Sequence, residues 1–508
     1  MIPSRTTRVA QSLALVLMLC GGIPAGAAGR AEAQQAAPAA VGPPLNMARA
    51  LDLAGRIVGQ SKALARVWPG YWPETQPFII NFPGSGALLV MHGNPPEGWE
   101  PMRARDVPPQ LRGRVFFRRG DIEGATRPFI IDFPVGGGQT AILVNPGRGV
   151  ADTAGLLFHE RFHFYQMSRF RSLVSVGEFL APSAVADRVA FAASAELERR
   201  ILAAAVTRRS GPQQIELLRQ YLAVRRAREA ALPPQAVKLE QQFERSEGVA
   251  RYVEGVARHL VFRTPRVEAQ LADWLRASLA EEPGGFTMVW FRLRSYSAGA
   301  ALTHLLSRLD PQGWRRAIED GGVLVDMVEQ KVGRAPDPVR AAEAARRRFG
   351  YAELVTQLEA PLREAERQEI KSVDDFRALG RYAVAVEIKI TPTNRAVRTP
   401  SFSASEMAFL SPTDMVLRHV EVLTMGSGGT ELTVRGRPVM MDNFEGHKRT
   451  TVLLDAQPRL EGGAALALGS HRLNGIRIRE PGLELRLDGP VLVTVEESGM
   501  RIRYPAPD

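Results

Sequence analysis

The chain has one cysteine, Cys20, in 508 residues. It falls within an N-terminal segment that reads as a cleaved leader, so the mature protein is expected to hold no thiol. Disulfides and thiolate metal sites are thereby excluded, and any bound metal must use His, Asp or Glu. After that leader, no stretch approaches the roughly 18 to 20 uninterrupted apolar residues that a membrane helix needs, which excludes a membrane span. Histidine is limited to 8 residues, and lysine is scarce beside arginine. The net charge of +11 invites a nucleic-acid or membrane-surface reading. The arginines, however, are scattered along the whole chain and paired with acids in helical stretches such as Ala195-Glu196-Leu197-Glu198-Arg199-Arg200. A solvated basic surface with no nucleic-acid partner is expected.

What is present suits a folded protein of more than one unit. A 45% hydrophobic and 23% charged composition argues against extensive disorder, and the length exceeds one compact core. Residues 1–33 have the form of a signal peptide: Arg5 and Arg8 give the positive start, Leu13 to Leu19 the apolar centre, and Ala31-Glu32-Ala33 the small-residue cleavage site. A cut after Ala27 is the alternative. Either predicts export to the periplasm or the medium. Leu19 stands where a lipoprotein signal has a small residue, which argues against lipid anchoring through Cys20.

Residues 34–44, rich in Ala, Gln and Pro, read as a flexible leader. Leu45 to Trp68 has apolar residues at helical spacing (Leu51, Leu53, Ile57, Val58, Leu64, Val67) and predicts an amphipathic helix ending at Pro69-Gly70. A short repeat follows: Thr75-Gln-Pro-Phe-Ile-Ile-Asn-Phe-Pro83 returns as Thr126-Arg-Pro-Phe-Ile-Ile-Asp-Phe-Pro134. Each copy leads through a Gly-rich turn to a second apolar run, which predicts two hairpins of one sheet within 71–150.

From 151 to 372 long helical periodicity dominates, with candidate helices at 153–170, 184–206, 212–230, 236–262, 266–281 and 295–309. From 375 to 508, short β-type runs alternate with Gly, Pro, Asn and Asp turns. They comprise Tyr382 to Ile390, Val416 to Leu423, Glu431 to Val434, Thr451 to Leu454, Leu483 to Leu487 and Val491 to Val495. They predict a C-terminal β-sandwich or partial barrel, a candidate surface for a partner or substrate. The fold class expected is α+β: a small antiparallel or mixed sheet, a mostly helical body spanning 45–372 with the hairpins, and a β-sandwich-like C-terminal domain.

The chemistry concentrates in His159-Glu160-Arg161-Phe162-His163. Two imidazoles four residues apart on a helix share one face and can grip one ion, and the intervening Glu160 can reach a water on it. Chance gives this pattern in about one such histidine-poor sequence in a hundred. A start at Asp152 or Thr153 is expected, with Leu156, Leu157, Phe162 and Phe164 as the apolar side facing the sheet. A catalytic zinc also needs a third protein ligand. Arrangements with a third His or Asp six residues after the second His, and a Gly three after it, fail: those positions are Arg169 and Gln166.

A second motif occurs at Ser246-Glu247-Gly248-Val249-Ala250-Arg251-Tyr252-Val253-Glu254. With it the chain resembles the gluzincins, peptidase-MA-like zinc peptidases with HExxH on one helix and a ligating Glu on the next; their aminopeptidase-like members carry Glu-Gly-x-Ala-x-Tyr-x-Glu there. The resemblance implies a zincin-like body, zinc held by His159, His163 and Glu247, Glu160 as general base, and a peptide or protein substrate lying along an edge strand before the HExxH helix. The separation of 84 positions between His163 and Glu247 then reads as a helical insertion. Glu244 and Glu254 compete for the ligand role or support it from behind. The Asp of thermolysin-like members, four residues after the ligating Glu, is Arg251 here, so that support must come from elsewhere.

Tyr296, in Ser295-Tyr-Ser-Ala-Gly-Ala-Ala-Leu302, looks like the oxyanion-binding tyrosine that follows the ligand helix in related peptidases. A packing tyrosine beside a close contact at Gly299 is the competing reading; Tyr252 and then His304 are the other oxyanion candidates. His92, His259, His419, His447 and His471 stand alone. Against the peptidase stand a retired peptidase fold acting as an envelope binding module, and a structural envelope protein with an incidental HExxH. A retained Glu160 speaks against the first.

Overall fold

Apolar spacing over residues 45–68 produces two helices in place of the expected one: α1 (Met47–Gly59) and α2 (Ser61–Val67), with Gln60 at the break. The Asn46 side chain caps the first by accepting from the Arg49 amide. The break lets Leu64, Val67 and Trp68 pack into the same core as Leu53 and Ile57. These coordinates are a computed structural model describing residues 45–505 apart from 123–124, 126–128, 137–138, 146–148, 172–184, 281–287, 391–396, 398–399, 405–406, 412–413, 428, 445–446 and 464. The expected signal peptide, the flexible leader and the first three residues of the second repeat copy lie outside the described residues.

The two repeat copies form the two expected hairpins. Strand β1 (Phe78–Phe82) pairs antiparallel with β2 (Gly86–Val90), Phe78 opposite Val90. Two further strands follow, β3 (Glu100–Pro101) and β4 (Val115–Arg119). Then β5 (Phe129–Pro134) pairs antiparallel with β6 (Thr140–Val144), with a bulge between Ile130 and Phe133. A parallel β1–β6 pairing, Phe78 opposite Ile142, joins the hairpins. The sheet order is β3-β4-β2-β1-β6-β5, which leaves β5 on an edge. Side chains alternate between faces: Phe78, Ile80, Leu88, Val90, Ile142 and Val144 pack into the main helical core, while Ile79, Leu89, Ala141 and Leu143 pack with Trp99 and Phe116 on the other side.

The helical body follows as α3 (Val150–Arg169), α4 (Arg188–Val206), α5 (Pro212–Ala230) and α6 (Pro234–Phe243). A π-helical turn, Glu244–Gly248, then runs without a break into α7 (Val249–Val261), and α8 (Val267–Ala280) and α9 (Met288–Leu309) come next. The shorter α10 (Trp314–Glu319), α11 (Leu324–Val332), α12 (Pro338–Arg348), α13 (Tyr351–Arg367) and α14 (Val373–Arg377) complete it. No helix of the described residues is long and apolar enough to cross a membrane.

The C-terminal unit is a barrel-like sheet of 11 strands. They are β7 (Tyr382–Lys389), β8 (Ser401–Ala404), β9 (Met407–Phe409), β10 (Met415–Leu417), β11 (Val420–Ser427), β12 (Thr430–Val434), β13 (Val439–Phe444), β14 (His447–Leu454), β15 (Gly469–Glu480), β16 (Leu483–Glu496) and β17 (Gly499–Tyr504). Its first strand lies parallel to its last, Met500 opposite Val384, and its interior is lined by Val384, Val386, Leu432, Val452, Leu485 and Val493. Two expected strands, Leu483 to Leu487 and Val491 to Val495, are one. Strand β16 runs through Asp488-Gly489-Pro490 and bulges there: between Leu487 and Pro490 it holds one more residue than β15 holds between Ile476 and Asn474. Conversely, the expected strand Val416 to Leu423 divides into β10 and β11. The molecule is α+β, as its sequence pattern predicts.

Candidate metal centre

Helix α3 starts at Val150 after Gly149, slightly earlier than expected. It is buried on nearly every side rather than on one. Tyr71 donates its hydroxyl to the Phe158 carbonyl at 3.3 Å. Trp72 meets Phe158 edge-on, and Trp68 does the same to Phe162. The aromatic residues thus clamp one flank of α3, and His159 and His163 leave another towards α7 and the π-turn.

There the three predicted ligands converge. His159 Nε2 and His163 Nε2 are 3.0 Å apart, and Glu247 Oε2 lies 3.1 Å from the second and 3.4 Å from the first. All three side chains are buried. Ligands about 2.0–2.1 Å from a tetrahedral ion sit about 3.3 Å from one another, so these separations match those of ligands sharing one ion. The group can hold a metal ion.

The surroundings fix which ring nitrogens face inwards. Gln166 donates its amide N–H to the Ser246 carbonyl at 2.9 Å, which turns its oxygen towards His163 Nδ1 at 2.7 Å. That oxygen can only accept, so Nδ1 carries the proton and Nε2 presents a lone pair. His159 Nδ1 likewise faces the Glu254 carboxylate at 3.4 Å. Glu254 in turn receives Arg251 at 2.8 and 3.0 Å, with Arg258 beyond at 3.5 Å. Burial would raise the Glu254 carboxyl, but Arg251, His159 and Arg258 together hold it well below the usual carboxylate range. For His159, burial works against the charged form, and Glu247 with Glu254 more than reverses it, so its imidazole is raised. Positive charge is favoured where the three inward atoms meet.

Three glycines make this approach possible. A Cβ on Gly155 would stand 2.8 Å from Glu254 Oε1, so the bare backbone one turn before His159 is what admits that carboxylate. A Cβ on Gly248 would fall 2.4 Å from Gly299 Cα, and one on Gly299 would fall 2.4 Å from the Glu244 carbonyl oxygen. Helix α9 therefore crosses the ligand-bearing turn backbone to backbone. The turn itself is π-helical, a local widening that recurs at functional sites.

Glu160 is buried beside His159. Tyr296, half-buried on α9, stacks on the His159 ring with centroids 5.8 Å apart and planes within 8°; the close crossing expected at Gly299 is also present. Tyr252 packs against Trp314 and His304, with ring centroids at 5.7 and 6.4 Å. Glu244, a competing ligand in the sequence, turns away from the histidines and pairs with Arg225 at 2.8 Å. Glu254 serves behind His159, supplying the support that Arg251 cannot, and Arg251 is the residue that holds it. Gln166 and Gly155 were missed. Gln166 had a legible signal: three residues after His163, it shares that ligand's face. The remaining histidines, His92, His259, His419, His447 and His471, lie outside this group. Compared with family models, curated proteins and solved structures, the chain matches none.

Proposed function

We propose that this chain is an exported zinc-dependent peptidase of gluzincin type. The observation that carries the reading is the convergence of three buried acceptors, His159 Nε2, His163 Nε2 and Glu247 Oε2, with the Nδ1 proton of His163 oriented by Gln166 and that of His159 by Glu254. Two imidazoles and one carboxylate without sulfur suit zinc in a catalytic setting. Zinc held there supplies Lewis acidity: it polarises a carbonyl and makes water a stronger acid.

The rest is done by the chain. Glu160, next to the first ligand, takes the proton of the attacking water and returns it to the leaving amine. Tyr296, stacked on His159, is the phenol that offers a second hydrogen bond to the developing oxyanion. Strand β5 has no strand on its outer side among the described residues, and an extended peptide can add there as a further strand. Export rests on the leader at 1–33.

The test is zinc content and hydrolysis of a peptide library by the purified chain, compared with Glu160→Gln and Glu247→Ala. The expectation is stoichiometric zinc and cleavage in wild type, zinc without cleavage in Glu160→Gln, and neither in Glu247→Ala. A wild-type protein without zinc overturns the enzyme; zinc with equal activity in all three overturns the assigned roles.

A further inference from the structure

Under the π-turn lies a second buried polar cluster that the proposed chemistry does not use. Arg225 on α5 is wholly buried. It donates Nε to Glu229 at 2.8 Å and Nη1 to Glu240 at 3.0 Å. It also grips both oxygens of Glu244, Nη1 to Oε1 at 2.8 Å and Nη2 to Oε2 at 3.2 Å. Arg228 binds Glu198 at 2.6 and 3.0 Å and Glu240 at 3.0 and 2.9 Å. Arg294 on α9 reaches the same two carboxylates. Of these carboxylates only Glu244 belongs to the π-turn; Glu198 sits on α4, Glu229 on α5 and Glu240 on α6.

A π-turn is a rare backbone state that needs support from outside itself. Besides the Gln166 bond to the Ser246 carbonyl and the Arg245 bond to the Arg171 carbonyl, two supports act on Glu244–Gly248. One is the glycine crossing with α9, which brings the two backbones together. The other is the planar fork of Arg225 on the Glu244 carboxylate, which fixes both distance and direction. A buried ion pair is a poor source of stability in itself, since apolar side chains of the same volume often do as well or better. Its distinctive product is one defined geometry. Here that geometry is set at the first residue of the turn, and the metal ligand leaves the turn three residues later.

We propose that Arg225 and Glu244 are positioning residues for the metal ligand: their two-toothed pair fixes the rotation of the π-turn, and with it the direction in which Glu247 reaches His159 and His163. This rests on the metal-site reading above. Glu198 is bonded to Arg228 and Arg294 and lies 3.6 Å from Arg225 Nη1, but pairs with no residue of the turn among those described. It supplies the control, because its loss perturbs the cluster while leaving both bonds of Arg225 to Glu244 in place.

The experiment is zinc competition against a chromophoric chelator, with thermal unfolding of each zinc-free protein, for the wild-type chain, Glu244→Gln, Arg225→Lys and Glu198→Gln. Glu244→Gln and Arg225→Lys are expected to bind zinc about 10–100-fold more weakly and to alter the visible spectrum of the cobalt-substituted site. Glu198→Gln is expected to lower the unfolding temperature while keeping zinc affinity within about threefold of wild type. Arg225→Lys, which keeps the charge and loses the fork, decides the matter if Glu244→Gln does not fold. Wild-type zinc affinity in the folded positioning variants overturns the inference, as does an equal loss in Glu198→Gln, which would make the cluster a general stabiliser. Absence of zinc from the wild type overturns the metal reading itself and is seen before any variant is made.

Discussion

Glu244 and Glu247 stand three residues apart in one π-turn, both buried, yet they enter opposite kinds of surroundings. Around Glu244 the chain supplies its own cations: Arg225, Arg228 and Arg294 face Glu198, Glu229, Glu240 and Glu244. Around Glu247 three acceptors meet, with the donors of the histidines already committed to Gln166 and Glu254. Perturbed titration does not separate the two clusters. Burial, with Glu240 beside it and against the pull of Arg225, pushes Glu244 up to about 7, while Glu254 behind the metal site is driven down. Structural ion pairs shift acids as readily as active sites do. What separates them is the chemistry of the partners: guanidinium groups of the chain face Glu244, whereas two imidazoles face Glu247, and that buried group can hold a metal ion.

The sharpest way to break this contrast is at Glu160. Glu160→Gln should lower peptide hydrolysis about 10²–10⁴-fold while leaving zinc content intact; retained turnover would show that the open cluster binds a metal without using this carboxylate as a base. Next in size is the effect of the ion on stability. Zinc at a thousand times its dissociation constant should stabilise the folded chain by about 4 kcal/mol, read as a rise in unfolding temperature on adding zinc to chelator-treated protein. That rise should vanish in Glu247→Ala and persist in Glu198→Gln, and a rise of equal size in Glu247→Ala would mean the ion sits elsewhere.

A buried histidine outside both clusters provides a comparison of a third kind. His304 lies on α9 with Nε2 lacking a hydrogen-bond partner among the described residues. Burial, with a contribution from Arg308, lowers its pKa from 6.5 to about 4. The unfolded chain therefore binds the extra proton first. Stability should be full above pH 6.5 and fall as the pH drops towards 4, by about 1–3 kcal/mol from this group. Urea unfolding at intervals across that range checks it, and His304→Leu should flatten the slope. The smallest effect is expected from Gly155→Ala. Its added Cβ, 2.8 Å from Glu254 Oε1, should push that carboxylate off His159 and weaken zinc binding about tenfold, with an unchanged affinity showing that Glu254 is dispensable.

Much of this was legible in sequence wherever the relation is local. The repeated Phe-Ile-Ile segments announced two hairpins because strand alternation and turn residues act over a few positions, and β1–β2 and β5–β6 formed accordingly. Strand number in the C-terminal unit was less legible. Asp488-Gly489-Pro490 carries every mark of a turn, yet pairing with β15 keeps β16 continuous, with the extra residue taken up as a bulge. Pairing partners, absent from the strand's own residues, decided the outcome.

The same division runs through the site. By itself the sequence determined that His159 and His163 share a face, because four residues on a helix return to the same side whatever surrounds them. It also determined that sulfur takes no part in the described site and that Glu247 lies in a helical stretch with small neighbours. That Glu247 opens a new helix, as its motif suggests, does not hold, because it sits within an unbroken helical run. Only the tertiary structure decided that Glu247 reaches those histidines across 84 residues while Glu244 is drawn to Arg225. It alone decided that Gln166 and Glu254 hold the two Nδ1 atoms. The reason is physical: a helix fixes the direction of each side chain relative to its own axis, but which partner waits in that direction depends on how helices cross, and here the crossing is set by Gly155, Gly248 and Gly299.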